Sequence, residues 1–136
     1  MIAVDTSVLS LAVRRPTRAA HREHPAAAKL RRAVEEGVPV VVPGVCLQEI
    51  LSGVRDAKQF ERLASLLAPY PILVATRADH VAAARIASAC RAAGVAASTV
   101  DSLIAALVIR HRARLLTTDV DFERIRAHST LALEPH

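Results

Sequence analysis

Four carboxylates stand where apolar segments of the chain begin or end: Asp5 in IAVDTS, Glu49 in PGVCLQEIL, Asp101 in STVDSLIAAL and Asp119 in LLTTDVDF. Asp121 follows two residues after the last of them. A charged acid buried among Val, Ile and Leu is costly without a partner. Several acids brought together also raise one another's pKa. A divalent cation relieves both penalties, and an all-oxygen donor set suits Mg²⁺ or Mn²⁺. Acids around a hard cation, in a chain of net charge +5, point to phosphodiester chemistry.

Each acid taken alone has a plainer explanation. Asp5 can cap the turn that follows it, with Thr6 and Ser7 as alternative caps. Glu49 can be an exposed glutamate on a helix. Ser98-Thr99-Val100-Asp101 has the spacing of a capping box, and an acid in a first helical turn favours the helix dipole. Thr118, Asp119 and Asp121 can cap the helix DFERI. The signal lies in the order and contexts of the acids together.

The elements that must position them follow from pattern and punctuation. MIAVD (1–5) reads as a buried strand with Asp5 at its carboxyl end, where open α/β sheets place ligands. Residues 17–36 read as a helix closed by Gly37, with Pro25 splitting it or marking its start. VPVVVP (38–43) is a second strand. Pro43 opens a helix to about Ser52 with Gly53 as its stop, and another helix covers about 56–68. PYPILVAT (69–76) is a third strand. Helices follow at 78–93 and 99–112, the second opened by Ser98 or Thr99. RLLTT (114–118) is a strand, 121–127 a short helix and STLAL (129–133) a last strand. This alternation predicts a mostly parallel sheet with helices on both faces, in one domain spanning 1–136.

Composition narrows the function. With three aromatic residues, Phe60, Tyr70 and Phe122, a nucleic acid would be held by charge and shape and not by stacking. Sixteen arginines against two lysines explain the sequence pI near 10.2; a GC-rich coding sequence would produce the same skew. Arg110, Arg112 and Arg114 form one group and Arg124 and Arg126 another. Cys46 and Cys90 lack zinc-ligand spacing and are expected to be buried and reduced. With no secretory pattern and no apolar run of spanning length, the chain is expected to be cytoplasmic.

The motifs together resemble the PIN-domain ribonucleases, and among them the VapC toxins of bacterial toxin–antitoxin pairs. IAVDTSVL is similar to the family's opening strand, PGVCLQEILSG to its glutamate helix, and VDSLIAALVIRHRARLLTTDVDFERI to its most specific block. The chain departs where PGVC replaces a more usual Ser or Thr and where His111-Arg112-Ala113 fills a turn that commonly holds glycine. The resemblance implies a three-layer α/β/α sandwich and metal-dependent RNA cleavage by activated water. It implies Asp5, Glu49, Asp101 and Asp119 as catalytic residues, with Asp5, Asp101 and Asp119 on Mg²⁺ or Mn²⁺. Thr6, Ser7, Thr118 and Asp121 would support the site; separately, the charge grouping of Arg110, Arg112 and Arg114 makes them the residues expected to meet RNA. The resemblance also implies a homodimer and a small antitoxin as partner. A non-catalytic PIN-like binding module is the main alternative. Asp-based phosphatases and receivers fit less well, because Lys29 and Lys58 lie in helices and no second acid follows Asp5 in a D-x-D.

Overall fold

The computed structural model describes residues 1–13 and 22–136. Four strands form one sheet: β1 (Ile2–Val4), β2 (Val40–Pro43), β3 (Ile72–Leu73) and β4 (Arg114–Leu116), in the order β3-β2-β1-β4. Every pairing is parallel. β1 and β2 are buried along their whole length. That is why IAV and VVVP are continuous apolar runs and do not alternate. Ala3 lies opposite Val41 on one side and Leu115 on the other, so β1 and β4 end level at Val4 and Leu116.

Seven helices complete the described chain: α1 (Thr6–Val13), α2 (Pro25–Glu35), α3 (Gly44–Ser52), α4 (Ala57–Leu67), α5 (Arg77–Ala92), α6 (Thr99–Arg110) and α7 (Asp121–Arg126). From β1 to β3 the chain steps one way across the sheet, then returns past β1 to form β4. Right-handed crossovers therefore put α1–α4 on one face and α5 and α6 on the other. The packing agrees: α1 meets α2 and α3, whereas α5 meets α6 and α7. The result is the α/β/α sandwich expected from the resemblance. The reversal of strand order also opens a crevice at the carboxyl ends of β1 and β4, the usual ligand position of such sheets.

Several boundaries differ from the sequence expectations. SVLSLAV, read only as a capped turn, forms helix α1, because Asp5 caps it: Oδ1 accepts from Val8 N at 3.3 Å and the Asp5 carbonyl accepts from Leu9 N at 3.1 Å. The first helix expected over 17–36 begins at Pro25, capped by His24, whose Nδ1 accepts from Ala26 N; positions 17–21 of that expectation lie outside the described residues. The strand expected over 69–76 shrinks to Ile72–Leu73. Pro69 and Pro71 donate no hydrogen bond and Thr76 already caps α5. STLAL makes a single bridge, Leu133 to Leu115. In the His111–Ala113 turn Arg112 adopts the left-handed φ of 53° that a glycine would take more cheaply.

One acid without a role in the sequence reading locks the second helical layer. Asp79 completes a capping box with Thr76 at the start of α5. Its carboxylate, 1% exposed, also receives both forks of Arg110 from α6, Nε at 2.6 Å and Nη2 at 2.9 Å. The guanidinium holds the Asp79 carboxyl down to about 2 against the opposing effect of burial. The folded value lies below the ordinary 3.8, so the stabilisation is complete above that pH and lost as pH falls through about 2. Arg110 is 41% exposed, which reduces the contribution to about 1–2 kcal/mol. Acid unfolding followed from pH 4 to 2 should be shallower for Asp79→Asn than for the parent.

Candidate metal centre

Asp5 ends β1 and is 3% exposed. Ser7 donates its hydroxyl to Oδ1 at 2.6 Å, Thr117 donates to Oδ2 at 2.6 Å, and Val8 N adds the contact to Oδ1. A carboxylate offers about four lone-pair sites, so Oδ2 keeps one for a cation. Burial pushes the Asp5 carboxyl up, the hydroxyls and Val8 pull it back, and Asp119 raises it again.

The two hydroxyls also build the next layer of the site. Thr117 Oγ1 accepts from Asp119 N at 3.0 Å and Ser7 Oγ accepts from Thr118 N at 3.0 Å. They lie 3.4 Å apart. The loop after β4 is thus fastened to Asp5, and Asp119 is turned back over it. Asp119 Oδ1 in turn accepts from Asp121 N at 2.9 Å, capping α7 in place of the Thr118 hydroxyl. On α6, Ser98 Oγ accepts from Asp101 N at 3.0 Å. This is the backbone half of the expected capping box, with no return bond from the Asp101 carboxylate to the Ser98 backbone.

These elements bring Asp101, Asp119 and Asp121 together, with one carboxylate oxygen of each within 4.8 Å of the others. Burial raises the Asp101 carboxyl, Ser98 lowers it, and the charges of Asp119, Asp121 and Asp5 raise it further. Asp5 lies outside that group and acts on it through its charge. Among the described residues no ion pair reaches Asp5, Asp101 or Asp119; Asp121 meets Arg124 at 3.2 Å. Opposite ligands of a Mg²⁺-sized ion sit about 4.2 Å apart. The spacing and oxygen donors of Asp101, Asp119 and Asp121 fit a divalent cation, and the expected ligand Asp5 is not one of that group. Without the cation, Asp101→Asn removes repulsion and should raise stability by a few tenths to about 1 kcal/mol. Thermal melts in chelator check this, and added Mn²⁺ should reverse the order of the two proteins.

Other expected site residues fall elsewhere. Glu49 is exposed on α3 and lies outside the trio. The Cys46 thiol, three residues before Glu49, is pushed up to about 12, chiefly by burial. Cys46 and Cys90 are both free and buried, as expected. The Thr6 hydroxyl is buried without a hydrogen-bond partner. The hydroxyls that serve Asp5 are those of Ser7, as expected, and of Thr117, while Thr118 contributes its backbone N–H. The sequence signal for Thr117 is its place directly after the buried Leu115 and Leu116, which the end of β4 converts into an inward-turned hydroxyl.

The arginine group expected to meet RNA points away from the acids. Arg110 ends α6, nine residues beyond Asp101 and so about 14 Å along the helix, and is committed to Asp79. Arg114 begins β4 at the opposite end of the sheet and pairs with Glu134 at 2.8 Å. Arg112 lies in the turn between them. Of the two groups, the one on α7 reaches the site, through Arg124 on Asp121.

Residues 2–127 match the PIN domain family. The chain is 40% identical over 103 residues to ribonuclease VapC11 of Mycobacterium tuberculosis strain H37Rv, covering 74% of this chain and 77% of that one. In fold it is similar to VapBC2 from Rickettsia felis bound to a DNA fragment from their promoter, with a TM-score of 0.76, 16% identity and 98% of each chain covered. It is also similar to FitAcB from Neisseria gonorrhoeae, with a TM-score of 0.71, 19% identity and coverage of 99% and 97%. A four-stranded parallel sheet with acids gathered where its strand order reverses, together with these likenesses, places the chain in the PIN-domain family, among the VapC ribonucleases.

Proposed function

We propose that the chain is a Mg²⁺- or Mn²⁺-dependent endoribonuclease and the toxin half of a type II toxin–antitoxin pair. The observation that supports this reading is the close grouping of Asp101, Asp119 and Asp121, with the charge of the buried Asp5 felt at Asp101. Asp101 and Asp119 would hold the cation, with Asp5 as the inner ligand. A divalent cation held there would supply Lewis-acid polarisation of the phosphate and an activated water. The chain's own part is orientation. Ser7 and Thr117 fix Asp5 from two sides, and the Asp119 N–H bond to Thr117 sets the angle of the loop. Glu49, exposed on α3, would accept a proton from water or orient it. Arg124, 64% exposed, is free to exchange Asp121 for a substrate phosphate at little cost.

A VapBC-type partner is supported by the two-component complexes among the fold neighbours. An open groove of about 250 Å³ lined by Val13, Val54, Leu63 and Leu66 together with Gln59 and Arg62 offers a mixed apolar and polar surface for a small antitoxin. The homodimer is proposed on the exposed edge of the sheet, where Ile72 and Val74 are 36% and 71% exposed. Among the described residues no helix is long and apolar enough to cross a membrane.

The test is cleavage of mixed cellular RNA by the purified protein. Cutting should stop in excess chelator and return with Mg²⁺ or Mn²⁺. Binding of RNA without cutting at any metal concentration would favour the non-catalytic module. Undiminished cutting in chelator would exclude a metal-dependent reaction.

A further inference from the structure

Residues 131–136 run beside β4 without forming a full strand. Leu115 N donates to Ala132 O at 2.9 Å and Glu134 N donates to Leu115 O at 2.8 Å. Leu131 is buried against the core. Glu134, its side chain 13% exposed, is clamped between Lys29 Nζ at 3.1 Å and Arg114 Nε at 2.8 Å. Arg114 Nη2 adds a bond to Leu133 O at 3.1 Å. An acid enclosed by two cations and flanked by ladder bonds fixes this segment in register with β4.

The register delivers His136 to the candidate centre's support. Its ring Nε2 lies 3.0 Å from the carbonyl of Thr117. A carbonyl only accepts, so the ring donates. Thr117 is the residue whose hydroxyl bridges the Asp5 carboxylate and the Asp119 backbone. His136 also packs at 6.0 Å, ring centre to ring centre, against His24, whose own ring is fixed by capping α2. A chain of contacts thus leads from α2 and Glu134 through His136 and Thr117 to two acids of the site.

We propose that residues 131–136 are a strap that holds the Thr117–Asp119 turn, and that His136 is a positioning residue for the metal centre. The proposal rests on the reading of Asp5, Asp101 and Asp119 as cation ligands. Groups that orient metal ligands typically change affinity by about 10–100-fold. His136 stands one residue further out, so His136→Ala should weaken Mn²⁺ binding by about 3–10-fold. The melting temperature of the metal-free protein should stay unchanged, because the side chain leaves no cavity. His136→Gln keeps an N–H donor of similar reach and should restore affinity to within about twofold.

The experiment is Mn²⁺ titration of the full chain by electron paramagnetic resonance, without RNA, for the parent, His136→Ala, His136→Gln and Asp119→Asn. Weakening in His136→Ala with rescue in His136→Gln supports the strap. If Asp119→Asn loses binding and His136→Ala matches the parent, the strap is overturned and the metal site stands. If His136→Gln is as weak as His136→Ala, the hydrogen bond is not the cause and the positioning role is overturned. A parent that binds no Mn²⁺, or an Asp119→Asn that binds like the parent, overturns the metal site and the strap with it.

Discussion

Asp119→Asn is expected to lower metal-dependent RNA cleavage by about 10²–10³-fold, the range seen when one preorganised electrostatic group is removed from an active site. The substitution keeps the side-chain oxygen that caps α7 through Asp121 N and the backbone bond to Thr117, so the fold should survive. What it removes is charge on the oxygens nearest Asp101 and Asp121. Measured kcat/KM together with far-UV circular dichroism separates lost chemistry from lost structure. Glu61→Gln, on the exposed part of α4, should cut like the parent. An active Asp119→Asn would remove this residue from the reaction.

Arg110→Ala is expected to be the most damaging surface substitution, at about 2–4 kcal/mol. Breaking one side of a buried ion pair costs about 3–5 kcal/mol, because the other charge is left without a partner; the 41% exposure of Arg110 lowers that figure. The stranded group is Asp79, which joins the α5 cap to α6. For a chain of this length the loss amounts to roughly 6–12 °C in Tm. A double variant, Asp79→Asn with Arg110→Met, keeps a side-chain oxygen for Thr76 N and should recover most of it, since the expense lies in the uncompensated charge. RNA affinity at matched foldedness should be unaltered in Arg110→Ala. A loss of affinity there would return Arg110 to the substrate-binding face.

The contrast between these two residues explains what the sequence disclosed. The strands around Asp5 and Asp119 were legible because a parallel sheet buries both faces, leaving apolar runs that an acid visibly interrupts. The helix starts at Pro43 and Ser98 were legible from cap chemistry. Asp79 and Arg110 were not, because the pair spans thirty-one positions and neither residue is unusual on its own helix. Arg110 looked like part of a basic patch only because the one-dimensional order places it near Arg112 and Arg114. Thr117 and Thr118 are adjacent hydroxyls, and only the end of β4 decides which turns inward to Asp5. The bridge at Leu133 and the shortened β3 depend on how many backbone partners lie within reach, which local propensity does not encode.

The capping roles of Asp5 and Asp101 are compatible with the proposed metal role. Asp5 caps α1 and keeps a lone pair for a cation. Asp119 caps α7 while facing Asp101. Asp101 sits in the first turn of α6, yet its carboxylate does not return to the Ser98 backbone. Caps hold the backbone of each acid, and that fixed backbone is what allows like charges to be kept together.

The most direct test of that claim is the position of Mn²⁺ in crystals soaked at its absorption edge, read from anomalous scattering. The account predicts a peak bonded to carboxylate oxygens of Asp101 and Asp119 at about 2.0–2.4 Å, with Asp5 or Asp121 completing the protein ligands. Ordered Mn²⁺ elsewhere, with these acids unligated in a crystal that still cuts RNA, would contradict it.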